Sequence, residues 1–104
     1  MSDTTYDYTS EPTDVRVARG VALLDAHRPG WAHELPRLSR LAMGSGHNCV
    51  LGQLYGYVWD GPHYLGIGVA DLERYGFAEW RRSHMREMTD AWRRVVRERR
   101  EVSP

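Results

Sequence analysis

From Leu41 to Trp59 the chain carries no charged side chain, although 27% of its residues are charged. A run of this length approaches a bilayer span. It contains Ser45, His47, Asn48, Gln53 and four glycines, however, and burying them in hydrocarbon would be costly. The run is therefore expected in the core of a water-exposed fold, with no membrane span. Wound as a helix over residues 49–59, it places Val50, Leu51, Leu54, Tyr57 and Val58 on one broad face. Cys49, Gly52 and Gly56 form a smooth strip beside it, and Asn48 is a natural cap. A helix that is apolar or small on nearly all sides belongs at the centre of a fold. The competing reading is a β-hairpin turning at Asp60-Gly61, against which stand Pro62 and the glycines at 66 and 68. The helix is preferred.

A chain of 104 residues has room for one core. Residues 1–12 carry Asp3, Asp7 and Glu11 with no basic side chain and read as a flexible acidic tail. Tyr6 and Tyr8 within it are weighed as a docking motif against an ordinary frayed end. Residues 13–104 read as a single helical domain. A first helix starts at Thr13 or Asp14, either of which can cap it, and faces inward through Val17, Gly20, Val21, Leu24 and His27. Gly20 implies a close backbone neighbour, and Pro29-Gly30 ends the helix. Trp31–Met43 reads as a second helical segment with Leu35, Leu38 and Leu41 on one side and an irregular start at Pro36. After the 49–59 helix, Asp71 starts a short helical piece over Ala70–Tyr75. Gly76 closes it in the left-handed region, with Phe77 folding back. The last helix runs from Ser83 to Glu101 with Met85, Met88, Trp92, Val95 and Val96 as its apolar stripe. The expected class is all-α: a compact four- to five-helix domain with a central apolar helix and a long C-terminal amphipathic one.

Several of these segments carry a resemblance. Leu24-Asp25 with Pro29-Gly30-Trp31, then Cys49-Val50-Leu51-Gly52-Gln53-Leu54-Tyr55-Gly56, Tyr75-Gly76-Phe77 and Thr89-x-x-Trp92 resemble a group of small proteins of actinobacteria and their phages. The Cys-Val-Leu-Gly-Gln-Leu-Tyr-Gly block is the specific part. The group has no assigned activity, so the resemblance implies a compact fold and a phage-related origin and carries no mechanism. All 14 basic residues are arginine, and Ile, Phe and Asn occur once each, which fits a GC-rich coding bias.

Chemistry is sparse. The single Cys49 excludes an internal disulfide and suits a reducing compartment, and the acidic N-terminus is unlike a signal peptide, so a cytoplasmic location is expected. Cys49 with His47 is the pairing nearest to a nucleophile and base, but no third group is placed to orient the imidazole. The five histidines lack zinc spacing. Gly44-Ser45-Gly46 could cradle an anion, and Gly66-Ile67-Gly68 lacks the rest of a dinucleotide fingerprint. Both are read as turns. Asp25 is read as a helix-end contact and Asp60 as a turn former. No enzyme, cofactor or metal is expected.

The remaining candidate is the last helix, where Arg86, Arg93, Arg97 and Arg100 line one side. From Glu79 onward there are eight arginines against five acids. Such a face can hold phosphates. The four-residue pairs Arg86–Asp90, Asp90–Arg94, Arg94–Glu98 and Arg97–Glu101 equally describe a solvated, ion-paired surface. A helix-turn-helix reading fails because the third segment, which would enter the groove, has no side chain to read bases. The expected function is an accessory protein-binding module, phage-encoded and acting on a host protein. The alternative is nucleic-acid association through the arginine helix. A homodimer is expected only if the fold leaves the apolar stripe uncovered. Because exposed ion pairs contribute little, reversing Arg93, Arg97 and Arg100 should leave the melt unchanged.

Overall fold

Where each segment's backbone hydrogen bonds go explains most of the architecture. The computed structural model describes residues 11–102. The expected acidic tail, with Tyr6 and Tyr8, lies outside the described residues up to position 10. Glu11 is already fixed, because its carboxylate accepts two bonds from Arg19 at 2.9 and 2.8 Å. Among the described residues there is no strand. Four α-helices joined by 3-10 turns make an all-α fold: α1 (Thr13–His27), α2 (Val50–Tyr55), α3 (Gly61–Leu65) and α4 (Arg82–Val102). No helix among them is long and apolar enough to cross a membrane.

The start of α1 is set by Pro12, whose carbonyl accepts from the N–H groups of Val15 and Arg16. Neither Thr13 nor Asp14 caps it with a side chain, contrary to expectation. Its inward face is Thr13, Arg16, Val17, Gly20, Val21 and Leu24. His27, expected on that face, is exposed, and the stripe extends upstream to Arg16 instead. A Cβ on Gly20 would strike the Tyr75 carbonyl and the Trp92 ring, so the glycine admits the backbone expected there.

Residues 31–43 do not form the expected second helix. They make two 3-10 turns, Trp31–His33 and Leu38–Arg40, around an irregular stretch. Pro36 has no N–H to donate and biases Leu35 away from the helical region. The apolar spacing was nonetheless informative, since Leu35 and Leu41 are buried and Leu38 packs against the core. The backbone groups left without helical partners are satisfied by side chains from elsewhere. The Gln53 carboxamide accepts from Arg37 N–H at 2.9 Å and donates to Arg37 C=O at 3.0 Å. Thr89 Oγ1 accepts from Met43 N–H at 2.9 Å. Two arginines of α4 complete the set.

The uncharged run does hold the central helix, and no hairpin forms. It is shorter than expected, since α2 ends at Gly56 (φ +96°) and Val58–Asp60 is a 3-10 turn leading into α3. Cys49 caps α2, its Sγ accepting from Gly52 N–H at 3.3 Å, where Asn48 was expected. A side chain at Gly52 would run into the backbone of Gly46 and His47. Further on, the helical piece expected over 70–75 is only a 3-10 turn, Val69–Asp71, followed by plain turns, with Asp71 accepting from Gly68 N–H at 3.0 Å. Gly76 is left-handed (φ +72°), and the Phe77-to-Leu72 and Gly76-to-Glu73 bonds are those of a Schellman motif. That motif delivers Phe77 to the core, where it stacks on Trp92 at 5.4 Å, while Trp31 meets Trp92 edge-on at 5.8 Å. Met88, Ala91, Trp92 and Val96 of α4 are buried, so the chain itself covers most of the expected stripe, while Met85 and Val95 are half-buried.

Candidate interaction site

The four arginines of the expected face do not act together. Arg100 Nε and Nη2 donate to the carbonyls of Ala32 and Leu35 at 2.8 and 2.9 Å. Arg93 Nη2 donates to the Leu41 carbonyl at 3.0 Å. These two clasp the irregular 31–43 segment to α4, and the clasps remove the reason to expect that their reversal leaves the melt unchanged. Arg86 and Arg97 are exposed. None of the four-residue ion pairs expected on this face forms. The pair present within α4, among the described residues, is Arg93 with Asp90, at 3.6 Å and three residues apart.

A second arrangement went unnoticed in the sequence. Arg16, on the inward face of α1, is wholly buried and donates to Glu79 at 2.8 Å and to the Glu73 carbonyl at 3.3 Å. Arg81 closes on the same carboxylate with Nε and Nη2, both at 3.0 Å, and its backbone N–H adds a bond at 2.9 Å. Burial works to raise the Glu79 carboxyl, but the bonds from Arg81 and Arg16 outweigh it and hold the group at about 2. Arg16 Nε has no protein partner. At the other end of α1, Asp25 is the helix-end contact expected of it. It accepts from Trp31 Nε1 at 2.9 Å and from both terminal nitrogens of Arg99 at 2.8 Å, and the Arg99 bonds lower its carboxyl pKa.

Glu79 also fixes the chain beside an aromatic groove. Trp80, 62% exposed, stacks on Trp59, 42% exposed, with ring centroids 6.3 Å apart and planes within 19°. Beneath them lies a groove of about 180 Å³ lined by Met43, Tyr57, Phe77, Met85 and the 44–46 turn. The glycines of that turn are bare because Met85 lies against Gly44 and the Tyr57 ring against Gly46. The turn does not present itself to an anion. The Ser45 N–H donates to the Ala42 carbonyl, and those of His47, Asn48 and Cys49 all donate to Ser45.

The cysteine–histidine pairing does not assemble. Cys49 is buried and its thiol pKa is raised, chiefly by desolvation, while the His47 ring bonds the Gly56 carbonyl at 2.9 Å. Among the described residues no three His, Cys, Asp or Glu side chains converge as metal ligands would. Sequence reading missed the groove because Trp59 was assigned to the central helix and Trp80 to no element. The available signal was four tryptophans in 104 residues, of which the core takes in Trp31 and Trp92. No protein-family model, curated protein or solved structure matches this chain, so the groove and the arginine surface have to be interpreted from their own geometry.

Proposed function

We propose that this chain is a binding module that docks a partner protein on the Trp59–Trp80 groove. The observation that carries this reading is the stacked, half-exposed tryptophan pair over a preformed apolar recess. Tryptophan is the residue most enriched at the energetic centres of protein interfaces, and large rings left in water favour a partner that covers them. The recess is smaller than the roughly 300–1,000 Å³ of small-molecule sites. It suits the apolar side chain of a protein anchor. The groove is also held in advance, since Glu79 and the Schellman turn fix the backbone on both sides of Ala78, which limits the ordering cost of binding. No catalytic step is assigned to Cys49, whose thiol is desolvated and already serves as a helix cap.

The resemblance to proteins of actinobacteria and their phages supports a phage origin and a host protein as the partner. A cytoplasmic setting agrees with the buried, unpaired Cys49. Nucleic-acid association is the weaker reading because Arg93 and Arg100, half of the expected face, are committed to carbonyls. Crosslinking in a host lysate with mass spectrometry, followed by calorimetry on the purified pair, tests the proposal. Trp80→Ala should lower affinity at least about 30-fold, an interface centre of about 2 kcal/mol, with the melt nearly unchanged. Unchanged affinity in that variant overturns it, as does sub-micromolar nucleic-acid binding with a steep salt slope.

A further inference from the structure

A second surface lies away from the groove. Arg93, Arg94 and Arg97 of α4 face Ser39 of the 38–40 turn across an open cleft of about 650 Å³, with Asp90 at its edge. We infer that this cleft binds a short acidic peptide segment of a partner protein, its carboxylates held by the guanidinium forks of Arg94 and Arg97.

Three observations lead there. First, the cleft is locally cationic on a chain of zero formal net charge, with three arginines against one aspartate. Second, Arg94 and Arg97 are exposed and, among the described residues, neither has a carboxylate within 4 Å, although Glu98 and Glu101 stand four residues on. Third, Arg93 is anchored by the Leu41 carbonyl and Asp90, which fixes one wall of the cleft.

The same geometry disfavours nucleic acid. From Arg93 to Arg97 the helix rises about 6 Å. Arg86 before this stretch is followed by Glu87. Beyond it, between Glu98 and Glu101, Arg99 is paired with Asp25 and Arg100 clasps carbonyls, so no long free positive track exists for a phosphate backbone. No aromatic side chain lines the cleft, so bases would find nothing to stack on. Two or three neighbouring carboxylates match the spacing, and arginine pairs with them in two-pronged fashion.

Fluorescence anisotropy with a labelled hexaglutamate peptide, on the full chain at low salt, tests the inference. Arg94→Gln with Arg97→Gln should weaken binding at least about tenfold at an unchanged melting temperature, since both side chains are exposed. Lysine at both positions should restore only part of it, because an ammonium cannot form the fork. Trp80→Ala should bind the peptide like the parent, which separates this site from the groove. Absence of peptide binding, or binding indifferent to the double variant, overturns the inference. Tighter binding of a single-stranded oligonucleotide through the same two arginines also overturns it, in favour of a nucleic-acid site.

Discussion

Arginine works in opposite ways at the two ends of α4. Just before its N-terminus, Glu79 is buried between Arg16 of α1 and Arg81, and both oxygens of the carboxylate are occupied. Toward its C-terminal end, Arg93 and Arg100 are only half-buried and donate to neutral carbonyls of a segment that forms no α-helix. The first arrangement keeps the buried Arg16 charged only because Glu79 faces it, so loss of the carboxylate strands the guanidinium out of water. The second depends on backbone acceptors that would otherwise lack donors, and losing it re-exposes them to solvent at modest cost. One residue type thus marks both an all-or-nothing core element, reached from α1, and a graded clasp made by α4.

Breaking the buried pair should have the largest effect. Glu79→Gln leaves the wholly buried Arg16 without a counter-charge and should destabilise by about 3–5 kcal/mol in urea denaturation. Replacing both partners by apolar residues, Arg16→Met with Glu79→Leu, should recover most of that loss. A single Glu79→Gln variant as stable as the parent would erase the distinction between the two ends.

Acid sharpens the same contrast. The Glu79 carboxyl is at about 2 when folded against 4.5 as its ordinary value. A depressed carboxyl stabilises the fold fully above pH 4.5 and loses that contribution as pH falls toward 2. The contribution is on the order of 3 kcal/mol. Stability of the parent should therefore drop more steeply over that window than stability of Glu79→Gln, which has no such proton to take up. Parallel pH profiles would mean that the carboxylate is not specially held. The carbonyl clasps of Arg93 and Arg100 should show no dependence of this kind, since their acceptors do not titrate there.

The sequence made the apolar periodicities legible and left the polar partners obscure. Val50, Leu51 and Leu54 announced a central helix, and Gly76-Phe77 announced a left-handed cap with a returning ring. Both signals are local, decided within four or five residues of chain. Residues 31–43 carry similar spacing, yet Pro36 breaks the ladder, and the segment persists because Gln53, Thr89, Arg93 and Arg100 supply donors and acceptors from up to 68 positions away. Arg16 shows the same limit. On α1 its position one turn before Gly20 is visible, but a charge on the inward face is tolerable only because Glu79 arrives 63 positions later. The Trp59–Trp80 stack likewise joins two segments that are remote in the chain.

The smallest effects should come from the α4 arginines, and their ordering tests whether clasp and free surface are truly different. Arg100→Ala removes donors from two carbonyls, Ala32 and Leu35, and should destabilise by about 1–3 kcal/mol. Arg86→Ala, on the same helix and with equal loss of charge, should fall within about 0.5 kcal/mol of the parent because its side chain is exposed and clasps no carbonyl. A general electrostatic role for the arginine face would make the two variants alike, and both deficits would shrink as salt rises. A backbone clasp predicts unequal deficits, with the Arg100 deficit largely surviving in salt, because bonds to neutral carbonyls in a half-buried setting are screened less than exposed ion pairs. Equal, salt-sensitive losses would return both residues to the solvated face that the sequence alone suggested.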